Sequence, residues 1–214
     1  MKKMWEKEKE EIINLYETRL KEHGDSIKTM GWRDKEQQHL RFKILSEIGN
    51  LNGAKILDVG CGFGDFYEYL INRGMKVDYT GYDISPKIIE VAKSKHQRIK
   101  FEVKDILKER IDEKFDYVLE SGILNKRISN NIEYAKNMII KMFELCKIGV
   151  AVNMMTNYVD YEENYLYYYS PEEMFKFCKN LSKFVTLRHD YPLYEFTLYV
   201  YKRAPYNKKS HKNE

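Results

Sequence analysis

Lys55-Ile-Leu-Asp-Val-Gly-Cys-Gly-Phe-Gly-Asp-Phe66 changes character twice over a short distance. The apolar run Ile56-Leu57-Asp58-Val59 reads as a buried strand. Glycines then stand at alternate positions, Gly60, Gly62 and Gly64, and from Phe66 the apolar residues recur at helical spacing through Tyr69 and Leu70. Strand, tight turn and helix in that order place a glycine-lined backbone at the carboxyl end of a strand. That is where ligands bind in open α/β sheets.

Outward from this turn the pattern repeats. Val77–Asp83, Ile99–Val103, Phe115–Glu120 and Gly149–Met155 read as further strands. Helical patterns separate them: 65–73, closed by Arg73-Gly74; one capped by Ser85 with Pro86 at its first position; and about 132–146. Five alternations of strand and helix imply βαβ units and a parallel sheet covered on both faces. Beyond Met155 the rhythm breaks. Residues 157–169 hold six tyrosines, Ser170-Pro171 opens a helix, and Phe184–His189 and Phe196–Tyr201 read as strands. The connection 190–195 is too short for a crossover helix, so these two pair antiparallel. Upstream, 1–23 has a helical apolar stripe at Trp5, Ile12, Ile13, Tyr16 and Leu20. A second helix is expected from near Asp34 to a cap at Gly49-Asn50, with Leu40, Ile44, Leu45 and Ile48 inward. The first helix is read as packing on the domain, with a lid or dimerising role as the alternative.

The chain has 214 residues, 43% hydrophobic and 33% charged, with 37 basic against 33 acidic side chains for a net charge of +4. That balance is too even for the clustered basic face a long nucleic acid requires. Cys61, Cys146 and Cys178 are far apart and form no metal-ligating pattern. Cys61 reads as a small buried turn residue more readily than as a reactive thiol. No leader-like or membrane-spanning run is present, so a cytoplasmic location is expected.

The ligand follows from the strand ends. No third glycine completes a dinucleotide fingerprint, since Asp65 or Tyr67 stands there, and no Gly-Lys-Ser/Thr follows for a phosphate loop. Asp58 and Asp65 flank the turn and would repel a pyrophosphate, whereas they suit a cationic amine or sulfonium.

Ile56-Leu-Asp-Val-Gly-Cys-Gly-Phe-Gly64 resembles the first motif of class I S-adenosylmethionine-dependent methyltransferases, and Gly81-Tyr-Asp-Ile-Ser-Pro86 resembles the second. Val103-Lys-Asp-Ile106 and Glu120-Ser-Gly122 fall where the third and fourth lie. The resemblance implies a Rossmann-like three-layer fold with a mostly parallel seven-stranded sheet ordered 3-2-1-4-5-7-6, one strand antiparallel. It also implies S-adenosylmethionine as cofactor. Asp83 would accept hydrogen bonds from both ribose hydroxyls, Asp105 would meet the adenine amino group, and Ile106 would flank the ring. Asp58, Gly60, Cys61, Gly62, Gly64, Ile84, Lys104, Glu120, Ser121 and Gly122 complete the expected cofactor set. Trp32, Gln38 and Arg41, just upstream of the turn, are added as candidates beside the plainer reading of a packed Trp and a surface Arg.

On this reading residues 1–50 form a helical cover, 51–203 the methyltransferase domain and 204–214 a disordered basic tail. The Asn/Asp-Pro-Pro-Tyr signature of base-directed amino methyltransferases is missing after the fourth strand, where Glu120-Ser-Gly-Ile-Leu-Asn125 stands. A small-molecule acceptor taking the methyl on O or N by in-line displacement, without metal, is therefore expected. The pocket candidates are Tyr158, Tyr161, Tyr168 and His189; tyrosines that merely pack the segment onto the sheet are the alternative. Other functional alternatives are a non-catalytic binding subunit, or a protein or tRNA methyltransferase with a basic rim at Lys35, Arg41, Lys126 and Arg127.

Overall fold

Ile56 and Leu57 point to opposite faces of the strand they share, and each is fully buried. A strand with no wet face must be covered on both sides, and the computed structural model, which describes residues 2–206 (side chains from Trp5 onward), supplies both covers. Strands β1 (Lys55–Val59), β2 (Asp78–Asp83), β3 (Lys100–Val103), β4 (Phe115–Ser121) and β5 (Cys146–Met155) are parallel. Strand β7 (Glu195–Tyr201) runs antiparallel between β5 and β6 (Phe184–Arg188). The sheet order is β3-β2-β1-β4-β5-β7-β6, as the resemblance implies.

Helices α2 (Lys35–Ser46), α3 (Asp65–Ile71) and α4 (Pro86–Lys95) cover one face. There Phe42, Leu45, Phe66, Tyr69, Ile89 and Ala92 pack on Ile56, Leu119 and Ala151. Helices α5 (Asn131–Leu145) and α6 (Pro171–Leu181) cover the other, with Ala135, Met138, Ile139, Met174 and Cys178 against Leu57, Val118, Val150 and Leu198. Helix starts sit where the cap residues put them: the side chains of Asp34, Ser85 and Ser170 accept from Gln37, Ile88 and Glu173 N–H groups.

Two local expectations change. Helix α2 ends at Ser46, not at Gly49-Asn50, and Gly49 has no positive φ. That glycine is demanded by packing, because a Cβ there would collide with the Tyr117 hydroxyl. Leu40 is only partly buried and Phe42 takes the inward position instead. The tail expectation for 204–214 falls largely on residues 207–214, outside the described residues.

Helix α1 (Lys2–His23) crosses the carboxyl edge of the sheet. Glu17 Oε1 accepts from Ser85 Oγ at 3.2 Å and its other oxygen pairs with Lys87 at 2.9 Å. Glu8 accepts from Ser129 N at 2.6 Å, Glu6 pairs with Lys108, and Trp5 packs on Tyr134 with ring centroids 4.5 Å apart. These contacts land on the loops after β2, β3 and β4 and on the first turns of α4 and α5. The helix therefore spans the strand ends as a strap, and its apolar stripe faces a cavity.

Candidate active site

The carbonyl of Tyr82, near the end of β2, accepts two N–H groups of the glycine turn, from Gly60 at 2.7 Å and Cys61 at 3.0 Å. Gly60 and Gly62 hold φ of 75° and 55°, conformations that side-chain-bearing residues rarely adopt, so the turn can follow this path only with glycine. Gly62 N–H then donates to Asp83 Oδ2 at 3.2 Å, while Asp83 Oδ1 accepts from Ser85 N–H at 3.0 Å. Lys104 N–H donates to the Asp83 carbonyl at 2.8 Å. The ends of β1, β2 and β3 are thus stitched into one rim, with the Asp83 carboxylate at its centre.

This rim bounds a cavity of about 370 Å³. Of the expected cofactor residues, Asp58, Gly60, Cys61, Gly62, Asp83 and Ile84 line it from the first two strand ends. Lys104, Asp105, Ile106, Ser121 and Gly122 line it from the next two. Trp32, Gln38 and Arg41 line it from the upstream segment. Two of the set do not. Gly64 (φ 84°) is the N-cap of α3 and faces Phe101 and His96. Glu120 is 0% exposed and works from behind, accepting N–H groups of Ile123 at 3.2 Å and Asn153 at 2.9 Å, which shapes the turn carrying Ser121 and Gly122.

The proposed acceptor residues lie elsewhere. Tyr158 is 60% exposed and donates to Glu172, with His189 against its ring; Tyr161 is 66% exposed; Tyr168 is spent on Glu163 N–H. None of the four lines the cavity. From the same segment Tyr165 and Leu166 do, because 165–167 pairs with 125–127: Arg127 N–H donates to Tyr165 O and Tyr167 N–H to Asn125 O, both at 2.9 Å. Tyr169 is buried and donates to Leu124 O at 2.8 Å, a packing role.

Sequence reasoning also missed residues brought in from far along the chain. Trp5, Ile12 and Tyr16 of α1 wall the cavity, Trp5 at its Asp105 end. Their helical stripe is visible in the sequence, although nothing there says what it covers. Lys9 Nζ at 3.0 Å and Trp5 Nε1 at 3.4 Å both donate to Asp105 Oδ2, and Leu107 N–H donates to Oδ1 at 3.1 Å. At the far end Glu195 takes Arg41 in a forked pair, Nε and Nη2 at 2.6–2.8 Å.

Burial sets the charge states. Asp58 is enclosed beside Tyr79, whose hydroxyl donates to it at 2.5 Å; desolvation dominates and pushes its pKa up to about 7. Burial also raises Asp83, offset by the N–H groups of Ser85, Gly62 and Ile84. The Cys61 thiol is pushed well above its ordinary value by burial, with Asp83 and Asp58 adding to it, so it stays protonated and unreactive. Glu120 is raised well above the usual carboxylate range by burial.

Residues 50–202 match the family model of a methyltransferase domain. The chain belongs to that family. It is a class I S-adenosylmethionine-dependent methyltransferase, and its cofactor is S-adenosylmethionine. Rv1506c of Mycobacterium tuberculosis, itself named only as a methyltransferase, is 38% identical over 160 residues, 70% of this methyltransferase and 93% of that protein. Two solved structures share the fold. One is the magnesium protoporphyrin IX methyltransferase of Synechocystis with bound S-adenosylmethionine, with TM-score 0.58 and 19% identity over 78% of this chain and 79% of that one. The other is the 1,6-didemethyltoxoflavin-N1-methyltransferase of Burkholderia thailandensis, with TM-score 0.62 and 15% identity over 90% and 86%.

The cavity of this methyltransferase fits such a cofactor on its own chemistry. Glycine backbone at 60, 62 and 122 faces it without side chains. Carboxylates at 58, 65, 83 and 105 await a ligand rich in N–H, O–H and positive charge. Among the described residues no helix is long and apolar enough to cross a membrane, and no cluster of His, Cys, Asp and Glu has metal-binding form.

Proposed function

We propose that this methyltransferase moves the methyl group of S-adenosylmethionine to an oxygen or nitrogen of a small-molecule acceptor by in-line displacement. The observation that carries the reading is the Asp83 carboxylate held between the Gly62 and Ser85 N–H groups inside a cavity roofed by α1. When bound, the cofactor supplies a methyl group already activated on a sulfonium, so no metal is required for the displacement. The protein's own work is to bind, orient and exclude water.

Each Asp83 oxygen keeps a lone pair after taking its backbone N–H, and these would receive the ribose hydroxyls. Asp105 likewise retains acceptor capacity for the adenine amino group, with Ile106 and Trp5 bounding the ring. Asp58 and Asp65 would face the ammonium of the amino-acid end, Asp65 being held by Gln38 Nε2 at 3.1 Å and Lys95 at 3.4 Å. Ser121 and Gly122 would border the sulfonium. Residues 1–50 act as the cover of the domain formed by 51–203, with α1 keeping water from the nucleoside half.

A small acceptor is supported by how the mouth is built. Of the four residues expected to make a basic rim, Lys35 and Arg127 do not line the cavity and Arg41 is buried on Glu195, which leaves Lys126 alone at the mouth. The three free cysteines suit a reducing compartment, and we place the enzyme in the cytoplasm.

Calorimetry with S-adenosylhomocysteine tests the reading: the protein should bind it, and Asp83→Ala should weaken binding by about 1–3 kcal/mol through loss of charge-assisted hydrogen bonds. A well-folded protein giving no heat, or an unchanged dissociation constant in the variant, would remove it.

A further inference from the structure

We propose that Asn125 positions the substrate, its side-chain N–H groups taking a carbonyl or anionic oxygen of the molecule to be methylated. This deepens the small-molecule methyltransferase reading and rests on it. Asn125 is 7% exposed and lines the cavity. Its Oδ1 accepts the Met155 N–H at 3.0 Å. A backbone N–H must face the amide oxygen, so the Met155 bond fixes which way the amide is turned and leaves Nδ2 as its free end. Nδ2 has no acceptor among the described residues. A residue needed only to satisfy Met155 would use its oxygen alone, so the nitrogen is surplus to packing. An amide donor left unmet at an enclosed site costs free energy that a bound oxygen recovers.

The donor is held in place before any ligand arrives. Asn125 N–H donates to Gly122 O at 3.3 Å, and its carbonyl accepts Tyr167 N–H at 2.9 Å. On either side, the Leu124 carbonyl takes the Tyr169 hydroxyl at 2.8 Å and Lys126 bridges to Leu166. A group fixed from β4, β5 and the 165–169 segment together can orient a ligand without being ordered by it.

Its place in the sheet assigns it to the substrate and not to the cofactor. The acids expected to hold the cofactor stand at the ends of β1, β2 and β3. Asn125 lies three residues past Gly122, the expected border of the sulfonium, and is tied to Met155, the last residue of β5. Strand β5 is two strands from β1 on the side away from β2 and β3, roughly 10 Å at ordinary strand spacing. Two buried carboxylates are close to this end, and both are engaged. Glu195, opposite Met155 on β7, holds Arg41, and Glu120 holds the Ile123 and Asn153 N–H groups. Lys126, next along the chain, lines the same cavity and adds only donors, while Trp32, Met155, Tyr165 and Leu166 supply apolar and aromatic wall. Such a wall receives an oxygen with free lone pairs on a flat apolar frame and disfavours an ammonium group.

Acetophenone, α-methylstyrene and 1-phenylethylamine share one heavy-atom skeleton and place a carbonyl oxygen, a methylene or an ammonium at the same position. Each is titrated into wild type with and without saturating S-adenosylhomocysteine, following the Asn125 Nδ2 protons, assigned by through-bond correlation, in nitrogen–proton spectra. Acetophenone should move that pair downfield and saturably, and α-methylstyrene should not. Wild type should bind acetophenone at least about threefold more tightly than 1-phenylethylamine. Asn125→Asp keeps an oxygen for Met155 and turns the free donor into an acceptor, so it should reverse that order while S-adenosylhomocysteine affinity stays within about threefold. An Asn125 pair that acetophenone leaves unmoved, whether or not it binds elsewhere, would overturn the proposal. So would an equal shift with α-methylstyrene, or an unchanged order of affinities in a folded Asn125→Asp protein. If that variant does not fold, the wild-type spectra decide alone. If S-adenosylhomocysteine itself moves the pair and blocks acetophenone, Asn125 belongs to the cofactor and the proposal fails. If acetophenone moves the pair yet S-adenosylhomocysteine does not bind, the oxygen site stands and the cofactor reading fails.

Discussion

Asp58, Asp65, Asp83 and Asp105 line the cavity at the ends of β1, β2 and β3, whereas Arg41, paired with Glu195 on β7, and Lys126, in the loop after β4, line it from the other side of the sheet. In the first half the nearby cations are largely spent: Lys9 on Asp105, Lys104 on Glu102, and Arg19 over the Tyr16 ring at 5.8 Å. In the second the carboxylate that lines the cavity, Glu195, is spent on Arg41. The two halves also differ in how they are assembled. Asp58 and Asp83 lie at the ends of β1 and β2, Asp65 opens α3 and Asp105 follows β3, so a short local stretch carries each. The Arg41–Glu195 pair joins residues 154 apart in the chain, and neither position is a motif.

The largest expected effect breaks the Arg41–Glu195 side. Arg41→Met leaves Glu195 buried without its partner and should cost about 3–5 kcal/mol of stability in denaturant unfolding. Replacing both members together with apolar residues should return most of that loss. A single variant as stable as wild type would mean the pair is not closed in solution.

On the acidic side the comparable effect is driven by pH. Asp58 releases its proton near 4 in the unfolded chain and at about 7 in the folded one. Between those values the unfolded state binds fewer protons, so raising the pH favours unfolding, and the loss levels off above about 7. The difference is worth as much as ~4 kcal/mol. Wild type should lose stability relative to Asp58→Asn between pH 4 and 7, read as the separation of their unfolding midpoints. Parallel curves would show that Asp58 ionises normally.

The smallest effect is expected where neither half reaches. Tyr158→Phe and Tyr161→Phe should change stability and S-adenosylhomocysteine affinity by less than about 0.5 kcal/mol, since both side chains are exposed and outside the cavity. A larger loss of binding would return the exposed tyrosines to the site.

Much of the acidic side was legible before the structure, because the chemistry there is local. A strand that ends in a carboxylate must present it at the sheet's carboxyl edge, and a turn of alternating glycines must bring backbone close to whatever binds there. Ser85 and Ser170 capped their helices for equally local reasons. Glu120 misled because side chains alternate along β4: it points into the protein to hold two backbone N–H groups while its neighbours Ser121 and Gly122 meet the cavity. The tyrosines misled because a run of six says only that the segment is aromatic. Which of them faces inward depends on how 165–167 pairs with 125–127.

By itself, then, the sequence determined the strand–helix alternation, the positions of the glycine turn and its acids, and with them the methyltransferase class. Only the tertiary structure decided that α1 lays Lys9 and Trp5 on Asp105, that Arg41 is drawn to Glu195, and that one end of a single cavity is acidic and the other basic. Strand-end chemistry is written within a few neighbouring residues. A roof and a far wall are made of segments more than a hundred residues apart, and their meeting is set by packing that no local pattern encodes.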